Sequence, residues 1–149
     1  MRRLRARLAD DESGSTLLLT IGCCALGLAV MIVTMGATSL YLERKRLFTI
    51  ADGAALAGAE AFALADVRRE GDRLVVELEP SEVASAVSEH LAAGPGIEGD
   101  VRVVHATTLD GRSATVTLGT VWRPPIVGEF LPAEVPIEVT SVARSVFSG

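Results

Sequence analysis

The chain has 149 residues and a formal net charge of −5, because 19 Asp and Glu outnumber 14 Lys and Arg. Residues 47–149 hold the acidic excess, with seven Arg against fifteen Asp and Glu, and aromatic residues make up only 4% of the chain. An acidic domain with few aromatic side chains lacks the phosphate-binding charge and the stacking surfaces that nucleic acids require. No nucleic-acid partner is therefore expected.

The first predicted element is a basic head over residues 1–14, with Arg2, Arg3, Arg5 and Arg7. In a single-pass membrane protein the flank with more Lys and Arg stays in the cytoplasm, and Asp and Glu count little. The opposite flank, Glu43-Arg44-Lys45-Arg46, has three basic residues. The difference predicts a cytoplasmic N-terminus, with the C-terminal domain on the other side of the cell membrane.

The second predicted element is a transmembrane helix over residues 15–42, in contact with the lipid bilayer. From Ser13 to Leu42 there is no Asp, Glu, Lys, Arg or His, and roughly 20 apolar residues suffice to cross a bilayer. The alternative is a core helix of a soluble protein, but a helix that is apolar on every face needs cover all round, and the remaining chain is short for that purpose. Ala25 and Ala29 form a pair of small residues that lets a second helix approach closely in lipid.

Cys23 and Cys24 lie within this apolar segment, where cysteine behaves as a small hydrophobic residue. Lipidation at Cys23 is an alternative, because Thr20-Ile21-Gly22-Cys23 is weakly similar to a lipoprotein signal. A cleaved secretory signal is disfavoured, since its apolar region is typically only about 7–15 residues long.

The third predicted element is an amphipathic helical extension over residues 43–66. Alanine is the best helix former, and no proline interrupts the segment. Apolar residues recur at alternating spacings of three and four, which places them on one face of a helix. This candidate packing face consists of Leu47, Ile50, Ala54, Ala57, Ala61 and Leu64. Ala55 and Ala59 are expected to lie further round the helix, off that face.

The remaining residues, 67–149, predict a small α+β domain. Residues 68–72 are expected to form the turn that ends the long helix, and residues 73–79 alternate as a strand does. A short helix is predicted from an N-cap at Ser81 to about Ala93. Strands follow over residues 101–107, 114–118 and 137–147, the first two joined by an Asp110-Gly111 turn. The predicted fold is α+β: a long N-terminal helix, then a small antiparallel sheet with one short extra helix.

The sequence offers no catalytic constellation, so no enzymatic activity and no cofactor are expected. His90 and His105 are the only histidines, and no Cys and His cluster has the spacing of a metal site. No glycine-rich loop has the pattern that binds phosphates between a strand and a helix.

Three segments resemble a known family. A polar boundary, Glu12-Ser13-Gly14-Ser15-Thr16, opens into the apolar helix. The helix then runs into Glu43-Arg44-Lys45-Arg46-Leu47, and the extension continues with Ala51-Asp52-Gly53-Ala54-Ala55-Leu56-Ala57-Gly58-Ala59. Together they are similar to the TadE/TadG-like proteins of Flp (tight adherence) pilus clusters, which are pilin-like. The closing segment Val139-Thr140-Ser141-Val142-Ala143-Arg144-Ser145 also resembles the final strand of those proteins.

This resemblance implies a membrane-anchored minor pilin or assembly component. Its partners would be other pilin-like or Tad-system membrane proteins in a hetero-oligomer, and entry into a surface filament is left open. Type IV prepilins are cut after a glycine, which makes Gly14 and Ser15 the candidate processing site. The fifth residue after that glycine is usually Glu, whereas here it is Leu19. This difference indicates the TadG-like side of the family and an uncut chain.

The alternative function is a single-pass, membrane-tethered binding or sensor module unrelated to pili. The extension over residues 43–66 distinguishes the two functions. An assembly helix needs its packing face, whereas a tethered sensor would tolerate a flexible linker there.

Overall fold

The computed structural model describes residues 2–61, 67–70, 73–94, 100–126, 128 and 133–144. Side chains are described for 15–61, 77–94, 100–126, 128 and 133–144. The chain forms two compact units, Met1–Ser39 and Leu40–Gly149. In chain order the elements are α1 (Arg2–Ala59), β1 (Val67–Glu70), β2 (Arg73–Val76), α2 (Pro80–Ala93), β3 (Arg102–Thr108), β4 (Ser113–Trp122) and β5 (Val135–Arg144). This is the α+β architecture that the sequence predicts, with a long N-terminal helix, a small antiparallel sheet and one short helix.

Helix α1 contains the whole apolar segment. Thr20 and Thr34 are polar residues within that segment, and each hydroxyl donates a 2.8 Å hydrogen bond to the carbonyl four residues earlier in the helix. This local bonding satisfies both hydroxyls without a partner outside the helix. The helix ends at Ala59, earlier than the predicted Asp66, and residues 62–66 lie outside the described residues.

Strands β1 and β2 form an antiparallel hairpin, with Val67 paired to Val76 and Glu70 to Arg73. The strand predicted from Arg73 is confirmed, although it ends at Val76 instead of Glu79. The assignment of residues 68–70 to a turn is wrong, because they belong to β1. The backbone groups of β2 need a pairing partner, which β1 provides. The sequence did not indicate β1 as a strand, because its charged residues show no apolar alternation.

Helix α2 begins at Pro80, and its N-cap is Glu79, whose side chain makes no capping hydrogen bond. The prediction of Ser81 as the N-cap is therefore wrong. Proline is favoured at the first helical position because its φ angle is already helical and it has no N–H to leave unpaired. Val83 and Val87 form the buried side of the helix.

Strand β4 is the centre of the main sheet, paired antiparallel with β3 on one side and β5 on the other. Buried residues alternate along it, with Ala114, Val116 and Leu118 facing the core. β5 contributes Ile137, Val139 and Ser141 to the same face. Pro136 lies in β5, which is an edge strand in this sheet, where a missing N–H is tolerated.

The core of the second unit is built from one face of the C-terminal part of α1, the buried side of α2 and the inner face of the sheet. Its buried hydrophobic residues are Leu47, Ala51, Ala54, Ala55, Ala59, Leu78, Val83, Val87, Ala114, Val116, Leu118, Ile137 and Val139. Four of the five from α1 are alanines, so the helix can lie close to the elements that it contacts.

The turn between β3 and β4 is held by Asp110. One carboxylate oxygen accepts hydrogen bonds from the backbone N–H groups of Arg112 at 2.9 Å and Ser113 at 2.7 Å, and the other accepts from the Ser113 hydroxyl at 3.0 Å. These bonds favour the ionised form, and they lower the pKa of Asp110 to about 2, the bond from the Arg112 N–H having the largest effect. Gly111 follows with a φ of +65°, a conformation that glycine adopts without strain.

We predict that the stabilising effect of Asp110 depends on pH. The pKa in the folded state lies below the ordinary value of 3.8, so the stabilisation is present above about pH 4 and is lost as the pH falls towards about 2. Asp110→Asn should lower the melting temperature of the full chain in nonionic detergent at neutral pH. The difference from the unsubstituted chain should shrink across that window.

Circular dichroism melts at a series of pH values measure this difference. Glu89→Gln, which removes an exposed carboxylate on α2, is the control and should show no such trend. A melting-temperature difference for Asp110→Asn that stays constant from neutral to acidic pH would contradict the assignment.

Candidate functional site: the faces of helix α1

The first face of interest is the apolar surface of α1 in the first unit. Every residue from Ser15 to Met31 is exposed, including Leu18 at 74% and Met31 at 67%. Among the described residues, α1 is the one helix long and apolar enough to cross a membrane. A continuous apolar surface of this size marks a membrane or protein contact.

The small residues of this segment are open on the helix surface. Ala25 and Ala29 are both exposed. A Cβ atom added at Gly22, Gly27 or Gly36 would meet nothing within 4 Å. The surface around these residues is therefore free to receive a second helix, and their role in packing stays a prediction. Helix α1 continues through Gly14 and Ser15, and processing there also stays a prediction.

The second face of interest is the packing face of α1 in the second unit. Of the residues expected there, Leu47 and Ala54 are buried, Ile50, Ala57 and Ala61 are half-buried, and Leu64 lies outside the described residues. The buried set also includes Ala51, Ala55, Gly58 and Ala59. The expectation that Ala55 and Ala59 lie off the face is therefore wrong. At 100° per residue, the buried face is rotated by roughly a quarter turn from the predicted stripe.

The reason for the rotation is the uniform composition of the helix. Alanine occupies so many positions between Ala51 and Ala61 that apolar periodicity alone allows more than one face. The predicted stripe includes the larger residues Ile50 and Leu64. From Ala51 to Ala59, however, the buried positions are all alanine or glycine.

Gly58 lies at the closest approach of α1 to its neighbours. A Cβ atom at this position would lie 3.1 Å from Val83 Cγ1, 3.2 Å from Ala114 Cβ and 3.3 Å from Val87 Cγ2. These distances are shorter than ordinary van der Waals contacts. α2 and β4 can therefore lie this close to α1 only because residue 58 has no side chain.

A hydrogen bond connects α1 to the last strand. The buried Ser141 hydroxyl on β5 donates to the carboxylate of Asp52 on α1. Asp52 belongs to the Ala51–Ala59 segment, which carries the family resemblance, and Ser141 belongs to the closing Val139–Ser145 segment, so these two segments contact each other. The sequence alone did not indicate this pair, although the presence of both residues in those segments was a usable signal.

The titratable residues of the described part of the chain form no metal site. No group of three or more His, Cys, Asp or Glu with described side chains could hold a metal ion. His90 and His105 are both exposed.

We predict that a large side chain at Ala55 destabilises the second unit. Ala55 is fully buried, and forcing extra methylene groups into a packed core costs about 1–3 kcal/mol. Ala55→Leu should therefore lower the free energy of unfolding of the full chain by that amount, measured by denaturant titration in detergent micelles. Ala84→Leu, the same change at an exposed site of helix α2, should have little effect. Equal effects of the two substitutions would contradict the packing assignment.

Comparison with known proteins gives one match. The Tad family model, described as "Putative Flp pilus-assembly TadE/G-like", matches residues 14–61. No curated protein and no solved structure matches the chain significantly. The matched residues coincide with the apolar segment and the packing face of α1, which are the two surfaces described above. Over this segment the resemblance seen in the sequence is confirmed: residues 14–61 are similar to the TadE/G-like proteins of Flp pilus assembly.

Proposed function

We propose that this chain is a membrane-anchored, minor pilin-like component of a Tad-type Flp pilus or a related secretion system. The family match over residues 14–61 supports a role related to pilus assembly. The proposal of a membrane-anchored minor pilin rests on one observation. In the matched segment, an exposed apolar part of α1 continues into a part that packs into the core of a folded unit. Such a chain would act by placing that unit at a membrane and by contacting other pilin-like proteins.

The membrane anchor is residues 15–42, followed by the extension over residues 43–66 and the small domain over residues 67–149. Exposed large apolar side chains support the anchor, and the internally bonded threonines fit a lipid environment because the hydrocarbon layer offers no water to satisfy a hydroxyl. The basic head over residues 1–14 would remain in the cytoplasm. The acidic domain would then lie outside.

The alternative of a tethered sensor is not favoured by any described feature. That function predicted tolerance of a flexible linker after the apolar segment. The described part of the extension is instead helical and contributes Leu47 and four alanines to the core of the second unit. The packing face therefore serves the fold itself, and contacts with other pilin-like proteins would use the exposed surfaces of α1.

We predict an extracytoplasmic C-terminus. An alkaline phosphatase reporter, which is active only outside the cytoplasm, should be active when fused after Gly149. A fluorescent reporter that matures only in the cytoplasm should be dark at the same position. The reverse pattern would overturn the orientation while leaving the membrane anchor intact.

We also predict that Ala25 and Ala29 are needed for pilus assembly. Leucine at both positions would fill the surface where a second helix could approach. In the native host with the chromosomal gene deleted, the Ala25→Leu, Ala29→Leu variant should restore fewer pili than the unsubstituted chain, counted by electron microscopy at equal protein level. Val30→Leu with Val33→Leu changes exposed residues of the same segment that are already large, and this pair should restore pili fully.

If deletion of the gene leaves pilus number unchanged, the proposed function is wrong. If deletion removes pili but both variant pairs restore them equally, the assembly role stands and the small-residue contact does not.

A further inference from the structure

A groove on the surface of α1 follows the apolar segment in the sequence. It has a volume of about 410 Å³ and belongs to the second unit. Helix positions three or four residues apart lie on one side of a helix, and the lining residues share this spacing: Tyr41, Arg44, Lys45, Phe48, Thr49 and Asp52. The core packing of α1 uses a different face, and none of these six residues belongs to the buried core.

The aromatic side chains of the groove are unusually exposed. Tyr41 is 65% exposed and Phe48 is 46% exposed. Aromatic rings bury large areas when they belong to a core. Tyrosine is enriched at membrane–water interfaces, because one end of its side chain is apolar and the other is wet. Their exposure beside an uncharged segment fits an interfacial position.

The two positive charges of the groove make no ion pair within the described part of the chain. The Arg44 and Lys45 side chains are exposed and take part in no ion pair with the described residues. The neighbouring Arg46 differs, since its guanidinium lies 4.0 Å from the Glu43 carboxylate. At the far end of the groove, the Asp52 carboxylate already accepts the Ser141 hydroxyl. Two cations are thus left to bind an external anion.

The charge distribution of the second unit singles out this region. Residues 47–149 carry seven Arg against fifteen Asp and Glu, so most of the unit would be repelled by an anionic surface. Arg44 and Lys45 precede that acidic part and follow the apolar segment. Basic residues next to a membrane span attract anionic lipids.

We propose that Tyr41, Arg44, Lys45 and Phe48 form an anchor site for the headgroup of an anionic glycerophospholipid. The two cations would bind the phosphate, and the two aromatic rings would lie among the glycerol and upper acyl groups. The site rests on the proposed membrane anchor, and it would fix the depth at which α1 leaves the bilayer. A lipid is favoured over a partner helix because exposed cations and exposed aromatic rings occur together directly after an uncharged segment of membrane-spanning length.

The test uses the full chain reconstituted in vesicles of equal parts phosphatidylcholine and phosphatidylglycerol. Resistance to alkaline carbonate extraction measures insertion, and native mass spectrometry counts the lipids of each class retained by the protein. We expect phosphatidylglycerol to be retained in excess. The Arg44→Gln, Lys45→Gln variant should lose about 25-fold of that preference, since each basic residue near an anionic surface is worth about fivefold in binding and the two factors multiply.

The matched control is Arg112→Gln with Arg144→Gln, which removes the same charge from one exposed residue of the β3–β4 turn and one of β5. This control should keep the preference for phosphatidylglycerol. Insertion without any lipid preference, or an equal loss in both variants, would overturn the anchor site while leaving the membrane anchor standing. A preference unaffected by Arg44→Gln with Lys45→Gln, but accompanied by loss of self-association in Tyr41→Ala with Phe48→Ala, would assign the groove to a partner helix and overturn the lipid site. Failure to insert at all would overturn the proposed function itself.

Discussion

The close packing of α1 against α2 and β4 is the constraint on which the second unit depends. A side chain at Gly58 would meet Val83, Val87 and Ala114 at 3.1 to 3.3 Å, so all three elements meet where α1 presents only backbone. Alanines at 51, 54, 55 and 59 extend this face. Each alanine buries little apolar area of its own. The folded unit must therefore be stabilised mainly by the valines and leucines that the alanines bury through their close approach.

The size and exposure of the apolar residues of α1 change along its length. Before Leu40 the helix presents large apolar residues on exposed surfaces, including leucine, isoleucine, valine and methionine. After Leu47 the helix has fewer large exposed residues, and its buried face consists of small side chains. One helix thus presents an exposed apolar surface in its first part and a core-packing face in its second part. The family match ends at residue 61, just beyond the end of this helix at Ala59.

The sequence predicted those features that depend on local patterns. The uncharged segment from Ser13 to Leu42 predicted the apolar helix, alternation along 114–118 predicted β4, and Asp110-Gly111 predicted the hairpin turn that the structure contains. A run of uncharged residues, a period of two and a turn dipeptide are each determined by neighbouring residues, so no tertiary information is needed to see them.

Features that depend on distant partners were predicted less well. The predicted packing face differs from the buried face by about a quarter turn. With alanine at so many positions, contacts with α2 and the sheet determine which face of α1 is buried. Strand β1 is stabilised by its pairing with β2. Its own charged sequence gives no sign of a strand. The hydrogen bond between Asp52 and Ser141 joins residues far apart in the chain. The side chain of Ser81 is typical of an N-cap, whereas Pro80 fixes the start of α2 two residues earlier than an N-cap at Ser81 would.

Hydrogen exchange tests most directly whether α1 is both an exposed apolar helix and the core helix of the second unit. Amides that open only when the whole unit unfolds exchange with a common free energy. In the full chain in detergent micelles, the amides of residues 51–58 should exchange as slowly as those of residues 114–120 in β4, and both sets should accelerate together under mild denaturant. Exchange of residues 51–58 that is fast, or that responds to denaturant independently of β4, would contradict the account, because the helix would then be only a spacer between an anchor and a separately folded domain.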